Sequence, residues 1–146
     1  MRFDKLDKNI SVKPLNDKPD TQWFDSCNKP FNLYGLLKPT KEEGFLRMPL
    51  DIAKSISNEI YELCKSTAGG RLRFSTDSPY IAISSVMENV NRIPHMANVG
   101  VHGFDLYVNY NGKDVFVFSF IPNLDICDGY SSYIDISPEL RNGMHE

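Results

Sequence analysis

The alternation of apolar and polar residues in the second half of the chain predicts a series of β-strands. Apolar side chains alternate with other residues over much of four segments, namely Arg71 to Thr76, Tyr80 to Met87, Gly103 to Tyr110 and Lys113 to Ile121. This period matches the way in which successive side chains of a strand point to opposite faces of a sheet. A last extended segment is predicted from Tyr130 to Ile136. The pattern as a whole predicts a mostly β protein.

Two of these strands are predicted to form a hairpin that turns at Asn111-Gly112. Asn-Gly between two β patterns is typical of a type I′ turn, because both central residues of that turn need a positive φ. Simple alternation along the second strand places Phe116, Phe118 and Phe120 on one face. It places Val115, Val117, Ser119 and Ile121 on the other, which is also mostly apolar. Apolar residues on both faces predict a central strand that is covered on both sides.

One helix is predicted between Asp51 and Thr67. Apolar residues recur there at helical spacing and share one face: Ile52, Ile56, Ile60, Leu63 and Cys64. Gly69-Gly70 predicts the end of this segment.

The aromatic runs near the N-terminus predict short strands at sheet edges. Trp23-Phe24-Asp25 and Phe31-Asn32-Leu33-Tyr34 are separated by Pro30, which has no backbone N–H and is confined to edges. The polar segment from Glu88 to His102 is predicted to be a long loop, and loops of this length often carry function.

Many short strands, one helix and turn signals about every ten residues predict an antiparallel β-sandwich of the jelly-roll kind. We expect residues 1–20 to form an N-terminal arm and residues 21–146 to form the sandwich domain. The strand pattern stops after Ile136, so we expect a further strand of the domain to lie beyond Glu146. An unpaired sheet edge left in this way predicts self-association.

Composition and charge exclude some classes of partner. The net charge is -3 and acidic and basic residues are interspersed, so the chain lacks the basic surface that nucleic-acid binding needs. No apolar run approaches the length of about 18 residues that indicates a membrane-spanning helix. The N-terminal residues also lack the apolar core of a signal peptide.

The three cysteines do not have the spacing of a metal site. Cys27, Cys64 and Cys127 are far apart in the sequence, and we interpret them mainly as small core residues rather than as redox or nucleophilic groups. No cofactor is expected.

No catalytic constellation is recognisable in the sequence. The chain has no Gly-Asp-Ser or Gly-x-Ser-x-Gly turn, no His-Glu-x-x-His and no Cys-x-x-Cys. Its histidines, His95, His102 and His145, lie near no nucleophile turn. Because ester hydrolysis by a serine needs an activating base and an oxyanion site, a complete small enzyme is the least favoured interpretation.

Several segments, in the right order, resemble the domain that precedes the catalytic domain of SGNH/GDSL-type esterases. That family is known by a Gly-x-Asp-Leu-Tyr motif. The matching segments are Arg47-Met48-Pro49, Thr67-Ala68-Gly69-Gly70, Arg73-Phe74-Ser75-Thr76-Asp77-Ser78, Pro94-His95-Met96 and Gly103-Phe104-Asp105-Leu106-Tyr107. The resemblance extends from about Trp23 to Ile136, which is most of the chain.

The resemblance implies a non-catalytic, carbohydrate-binding-like β-sandwich that orients or completes a C-terminal SGNH hydrolase domain. That hydrolase would carry a Ser–His–Asp apparatus and act on esters, with acylated glycans as the expected substrates. A periplasmic or secreted location is implied in the same way. The alternative function is a free-standing carbohydrate-binding module with a glycan as its ligand.

Six residues are candidates for ligand or interdomain contact: His95, Met96, Arg47, Asp105, Tyr107 and Trp23. A structural role competes with contact for each of them. Asp105 is expected to be at least half-buried and hydrogen-bonded to backbone N–H groups or to an arginine, namely Arg47, Arg71 or Arg73. Tyr107 is expected on the same strand face as Asp105, Trp23 is either a sugar-stacking or a packing residue, and Gly103 is expected to allow a bulge or a tight start of its strand.

Overall fold

The computed structural model of the protein describes residues 15–40, 42–87, 93–122 and 128–142. The described residues fall into two compact units. The first unit consists of residues 23–76, and the second consists of residues 15–22 together with residues 77–142. None of the helices in these ranges has the length and apolar character needed to cross a bilayer.

The first unit combines one small antiparallel strand pair with two short helices. Its elements are β1 (Asn32–Tyr34), α1 (Leu50–Ile56), α2 (Asn58–Leu63) and β2 (Arg71–Arg73). Strands β1 and β2 pair with Leu33 opposite Leu72. The core of this unit is a cluster of three buried residues, Leu46, Ala53 and Cys64, against which Met48, Leu50, Ile60 and Tyr61 pack.

The single helix predicted from Asp51 to Thr67 is wrong, because Ser57 divides it into α1 and α2. Ser57 has an extended backbone (φ -168°, ψ 166°), and its hydroxyl accepts a hydrogen bond from the N–H of Ile60 at 3.2 Å. A serine that caps a new helix in this way ends the preceding one. The break also changes the buried face, because Ala53 and Cys64 are buried while Ile52, Ile56 and Leu63 are exposed.

The second unit contains two antiparallel strand pairs. Its elements are β3 (Tyr80–Val86), α3 (Asn98–His102), β4 (Phe104–Tyr110), β5 (Lys113–Phe120), β6 (Gly129–Asp135) and α4 (Pro138–Asn142). Strand β3 pairs with β6, and β4 pairs with β5. The strands predicted from the alternating pattern are therefore confirmed, within a few residues at their ends.

The mostly β, antiparallel character of the fold is confirmed. The prediction of one helix is wrong, since the described residues contain four short ones. Helix α3 lies within the segment that was predicted to be a loop, and α4 follows the last strand, where polar residues without a periodic pattern predicted no element. Trp23 to Asp25 was predicted to be a strand, but its residues belong to no strand in the structure. The three strand pairs of the described residues form no closed barrel.

The β4–β5 hairpin turns at Asn111 and Gly112, as predicted. Their φ angles are 51° and 74°, which is the pair of positive values that a type I′ turn requires. A β-bulge interrupts the register between Leu106 and Tyr107.

The bulge overturns the prediction that three phenylalanines share one face of β5. Leu106 is paired with Phe118, whereas Tyr107, the next residue of β4, is paired with Phe116. Because consecutive residues of a strand point to opposite faces, Phe116 lies on the face of Tyr107 and Phe118 lies on the opposite one. The extra residue of the bulge is Val117.

The expectation that β5 is covered on both sides is also wrong for the described residues. Among their strands, β5 pairs with β4 alone. Phe116 and Phe118 are 52% and 54% exposed. A two-stranded hairpin supplies no second layer above these rings, so Phe116 and Phe118 are presented to solvent, whereas Phe120 is buried.

The cysteines divide into a buried and an exposed one. Cys64 belongs to the core of the first unit, as expected. Cys27 is exposed, which corrects that expectation: it lies in a turn where its N–H donates to the Asp25 carboxylate at 2.9 Å. Partial desolvation and the nearby Asp25 raise the pKa of the Cys27 thiol, so a reactive thiolate is disfavoured. Cys127 lies outside the described residues.

Candidate functional site

The Gly-x-Asp-Leu-Tyr segment begins where α3 meets β4. The N–H of Gly103 donates to the carbonyl oxygen of Val99 at 2.9 Å and closes the last turn of α3. A Cβ atom at position 103 would collide with that same carbonyl oxygen. Gly103 is therefore required by the tight start of β4 that the sequence predicted, and not by a positive φ.

Asp105 is bound to the neighbouring strand of the hairpin. The hydroxyl of Ser119, which is its register partner, donates to Asp105 Oδ1 at 2.6 Å. The expectation that Asp105 is hydrogen-bonded is confirmed, but the expectations of burial and of an arginine or backbone partner are wrong. The physical reason is that the bulge places a short hydroxyl directly opposite the carboxylate, on a hairpin face that is open to solvent.

Tyr107 projects from the same face as Asp105, as predicted, and contacts an aromatic partner. Its ring and that of Phe116 lie edge to face, with centroids 5.6 Å apart and planes at 66°. Tyr107 is 55% exposed. One step closer to the turn, the Asn109 side-chain amide donates to Asp114 Oδ1 at 3.0 Å.

These three cross-strand pairs form one continuous surface, which we name the motif face. It consists of Asp105 with Ser119, Tyr107 with Phe116, and Asn109 with Asp114. An exposed aromatic pair lies between two pairs of hydrogen-bonding groups. Such a surface can stack against an apolar face of a ligand and hydrogen-bond at its rim, which suits contact with a sugar or with another protein surface.

The opposite face of the hairpin is anchored by Tyr130 at the start of β6. Val108 and Phe120 are buried on that face, and the rings of Phe104 and Tyr130 lie 6.4 Å apart. The hydroxyl of Tyr130 shares its proton between two backbone carbonyls, that of Phe120 at 3.0 Å and that of His102 at 3.1 Å.

Tyr130 thus joins the beginning of β4 to the end of β5 on the side away from the motif face. It is only 5% exposed, and burial raises the pKa of its phenol well above the ordinary value. The two carbonyls it binds flank the motif at His102 and its partner strand at Phe120. The buried hydroxyl therefore contacts the backbone at both ends of the hairpin that carries Asp105 and Tyr107.

The six candidate residues are distributed between the two units. Trp23 and Arg47 belong to the first unit, and the other four belong to the second. Trp23 is half-buried, and the Arg47 side chain is exposed while its N–H donates to the carbonyl of Cys64 at 2.9 Å.

His95 and Met96 are exposed in the turn that leads into α3. This turn is closed by a hydrogen bond from the N–H of Met96 to the carbonyl of Ile93 at 3.0 Å. Asp105 and Tyr107 are the two candidates that the structure brings together on one strand face.

Sequence reasoning missed Ser119 and Phe116 as partners of the motif. Counting outward from a two-residue turn pairs Tyr110 with Lys113 and correctly pairs Tyr107 with Phe116. The same count pairs Asp105 with Phe118, because it contains no bulge. The Asn-Gly turn was thus a sufficient signal for Phe116, and no signal in the sequence identified Ser119.

No group of three or more histidine, cysteine, aspartate or glutamate side chains in the described ranges is arranged to hold a metal ion.

Comparison with known proteins identifies one family. The family model described as GxDLY: N-terminus of Esterase_SGNH_hydro-type matches residues 21–138. The matched range contains all six residues of the motif face and also Tyr130. Neither the curated proteins nor the solved structures give a match.

Proposed function

The chain belongs to the family of GxDLY domains that form the N-terminus of SGNH hydrolase-type esterases, and from this we propose that it is a non-catalytic accessory domain. It orients or completes a catalytic domain that lies C-terminal to it. The observation that carries the proposal is the family match over residues 21–138.

The roles of the motif residues support an accessory function. Gly103 permits the tight start of β4, Asp105 binds Ser119 and Leu106 faces Phe118 across the hairpin. Serine hydrolysis needs a base that takes the proton of the nucleophile and an oxyanion site beside it. The Ser119 hydroxyl donates a hydrogen bond to the Asp105 carboxylate, and residues 104–120 contain no histidine. This pair therefore lacks the base that a serine nucleophile uses.

The proposal includes the properties that the family implies for the whole enzyme. Its catalytic domain would cleave esters, with acyl groups on glycans as the substrate class, in the periplasm or outside the cell. The three antiparallel strand pairs support a jelly-roll-like sandwich as the complete architecture. Among the described strands β6 pairs with β3 alone, and this supports self-association of the isolated domain. His95, Met96, Arg47 and Trp23 are proposed as contacts with the catalytic domain.

The test compares three proteins: this chain alone, the catalytic domain alone and the two joined. We expect the chain alone to release no p-nitrophenol from acetyl or butyryl esters above the uncatalysed rate. We expect the joined protein to exceed the catalytic domain in kcat/KM or in melting temperature. Turnover by the chain alone that disappears when a single serine or histidine is changed would refute the accessory role.

Glycan binding is a second candidate function, and the motif face favours it. Tyr107 and Phe116 are exposed aromatic rings beside the polar groups of Asp105 and Asn109. We expect Tyr107→Ala and Phe116→Ala to abolish any signal on a glycan array. Tyr34→Ala, which removes an exposed ring of the first unit, is the matched control. If no glycan binds the unchanged chain, this second function is excluded and the accessory role stands.

A further inference from the structure

Residues 15–22 lie against the β3–β6 strand pair of the second unit, and one lysine joins them to it. The ammonium of Lys18 is 2.9 Å from Asp135 Oδ1 on β6. It also lies over two aromatic rings, 4.7 Å from the centroid of Tyr80 and 5.0 Å from that of Tyr133. The two rings contact each other edge to face, with centroids 6.3 Å apart.

A second group of contacts surrounds the hydroxyl of Tyr80. This hydroxyl donates to Asp20 Oδ1 at 3.2 Å and lies 3.0 Å from the hydroxyl oxygen of Thr21. Thr21 in turn donates its hydroxyl to the carbonyl of Lys18 at 2.7 Å. Local hydrogen bonds within residues 15–22 also close two turns, from Lys18 to Leu15 and from Thr21 to Lys18. The segment is therefore held together by its own hydrogen bonds as well as by its contacts with the strand pair.

The contacts between this segment and the strand pair are an ion pair, two cation–π contacts and a hydroxyl network. The hydrogen bond to Asp135 is the main cause that raises the pKa of Lys18, so the lysine keeps its charge at neutral pH. Asp135, Tyr133 and Tyr80 are the titratable groups that face this ammonium, and Asp20 accepts from the hydroxyl of Tyr80. Contacts of this kind between partly exposed groups are individually weak and are screened by salt.

We propose that residues 15–22 form a strap that opens and closes over the paired rings of Tyr80 and Tyr133, with the contact between Lys18 and Asp135 as its latch. Closure covers the rings with the segment itself. Opening exposes more of the two adjacent phenol rings to solvent and releases the Asp135 carboxylate, which is 65% exposed already, from its ion pair. The strap is a conformational device of this unit and is independent of the accessory function proposed above.

The contacts around the Lys18 ammonium are weak, and for this reason we interpret the latch as an internal contact rather than as a site for a free ammonium ligand. A free ligand would have to overcome the loss of translational and rotational freedom on binding, which a few screened contacts do not offset. Lys18 is tethered to the same chain, so its effective concentration at the rings is high. The same weakness that excludes a free ligand makes the tethered contact reversible.

The test follows Lys18 by NMR in the complete chain. Protons held over an aromatic face are shifted upfield, so we expect upfield ε-methylene signals for Lys18. Asp135→Asn, which keeps the shape of the side chain and removes its charge, should move these signals toward their values in an unfolded peptide. Backbone amides of residues 15–22 should exchange with deuterium roughly five- to tenfold faster.

Lys65 is the matched internal control. Its ammonium lies 4.1 Å from the ring centroid of Tyr61 and 3.2 Å from Glu62 Oε2. These partners are near in sequence and do not involve the strap, so the signals of Lys65 should not change in Asp135→Asn. Raising sodium chloride from about 0.05 M to about 0.5 M should accelerate exchange in residues 15–22 of the unchanged protein.

Two results would overturn the strap. The first is that the Lys18 signals and the amide exchange rates of residues 15–22 are the same in Asp135→Asn as in the unchanged protein. The other is exchange in residues 15–22 that does not respond to salt in the unchanged protein. If Asp135→Asn fails to fold, the dependence of amide exchange on sodium chloride in the unchanged protein decides whether the strap exists. Lys18→Met should open the strap and Lys18→Arg should keep it closed, since arginine retains the charge and the capacity to lie over aromatic rings.

Discussion

The buried hydroxyl of Tyr130 offers the sharpest test of how the motif face is held. Tyr130→Phe removes one oxygen from a side chain that is 5% exposed and leaves the ring in place. The carbonyl of Phe120 then loses a hydrogen-bond donor in a buried position, and that of His102 loses one in a partly buried position. Such a loss costs about 1–3 kcal/mol in the free energy of unfolding, because the acceptors are shielded from water and the ring fills the same space.

The expected change is large enough to measure by thermal unfolding. For a domain of this size, 1 kcal/mol corresponds to a shift of roughly 2–4 °C in melting temperature, so we expect Tyr130→Phe to lower it by about 2–12 °C. Circular dichroism would follow the transition. Tyr110→Phe is the matched control, because it removes the same oxygen from an exposed side chain at the tip of the hairpin and should shift the melting temperature by less than about 1 °C.

Alkaline pH supplies an independent measurement on the same group. Burial raises the pKa of Tyr130 in the folded protein, while the unfolded chain keeps a value of about 10. The folded state therefore holds this proton when the unfolded state has begun to release it. The stabilising contribution is fully present below about pH 10 and is lost as the pH rises through the folded pKa.

Above pH 10 the stability of the unchanged protein should therefore fall faster than that of Tyr130→Phe. In absorbance titrations, one of the seven tyrosines should ionise late in the unchanged protein, and this late step should be missing from the variant. Equal melting temperatures for Tyr130→Phe and Tyr110→Phe, or a late-titrating tyrosine that persists in Tyr130→Phe, would refute the reasoning.

Two further changes test the motif itself. Asp105→Ala and Ser119→Ala should each lower stability slightly, and the double variant should reveal a coupling of about 0.2–1 kcal/mol, as for other exposed cross-strand pairs; urea unfolding of the four proteins measures it. Gly103→Ala should cost about 1–3 kcal/mol, because its Cβ meets a backbone carbonyl that cannot rotate away. Gly100→Ala is its control, since a Cβ there is in ordinary contact and alanine favours the helix by about 0.5–1 kcal/mol.

Additive effects of Asp105→Ala and Ser119→Ala would mean that the hydrogen bond does not form in solution. Equal stabilities of Gly103→Ala and Gly100→Ala would show that the start of β4 relaxes around a side chain.

Local patterns in the sequence determined most of the strands and the hairpin turn. Asn111-Gly112 prefers positive φ at both positions whatever the rest of the chain does, and the alternating pattern before it places Asp105 and Tyr107 on one face of β4. The Gly-x-Asp-Leu-Tyr motif and its companion segments also identified the family. Counting from the turn was enough to place Phe116 opposite Tyr107.

The break at Ser57 and the bulge at Val117 were beyond the sequence patterns. A serine within a helical period can either continue the helix or cap a new one, and the buried positions of Ala53 and Cys64 require the second arrangement. A bulge adds one residue to one strand, so it shifts the register and breaks the alternation of that strand, and nothing in the alternating pattern of residues marks where it occurs. The pairing of Asp105 with Ser119 therefore depends on how the two strands meet.

Contacts between distant segments depended on the tertiary structure alone. Lys18 and Asp135 are 117 positions apart, and Tyr130 meets the carbonyls of His102 and Phe120 across the interval between β6 and the hairpin. The alternation along a strand shows which residues share a face, but it is the same whichever strand or segment lies beside that face. The sequence therefore determined most of the strands and the faces of β4, and only the folded chain decided the faces of β5 around its bulge and which side chains cover each face.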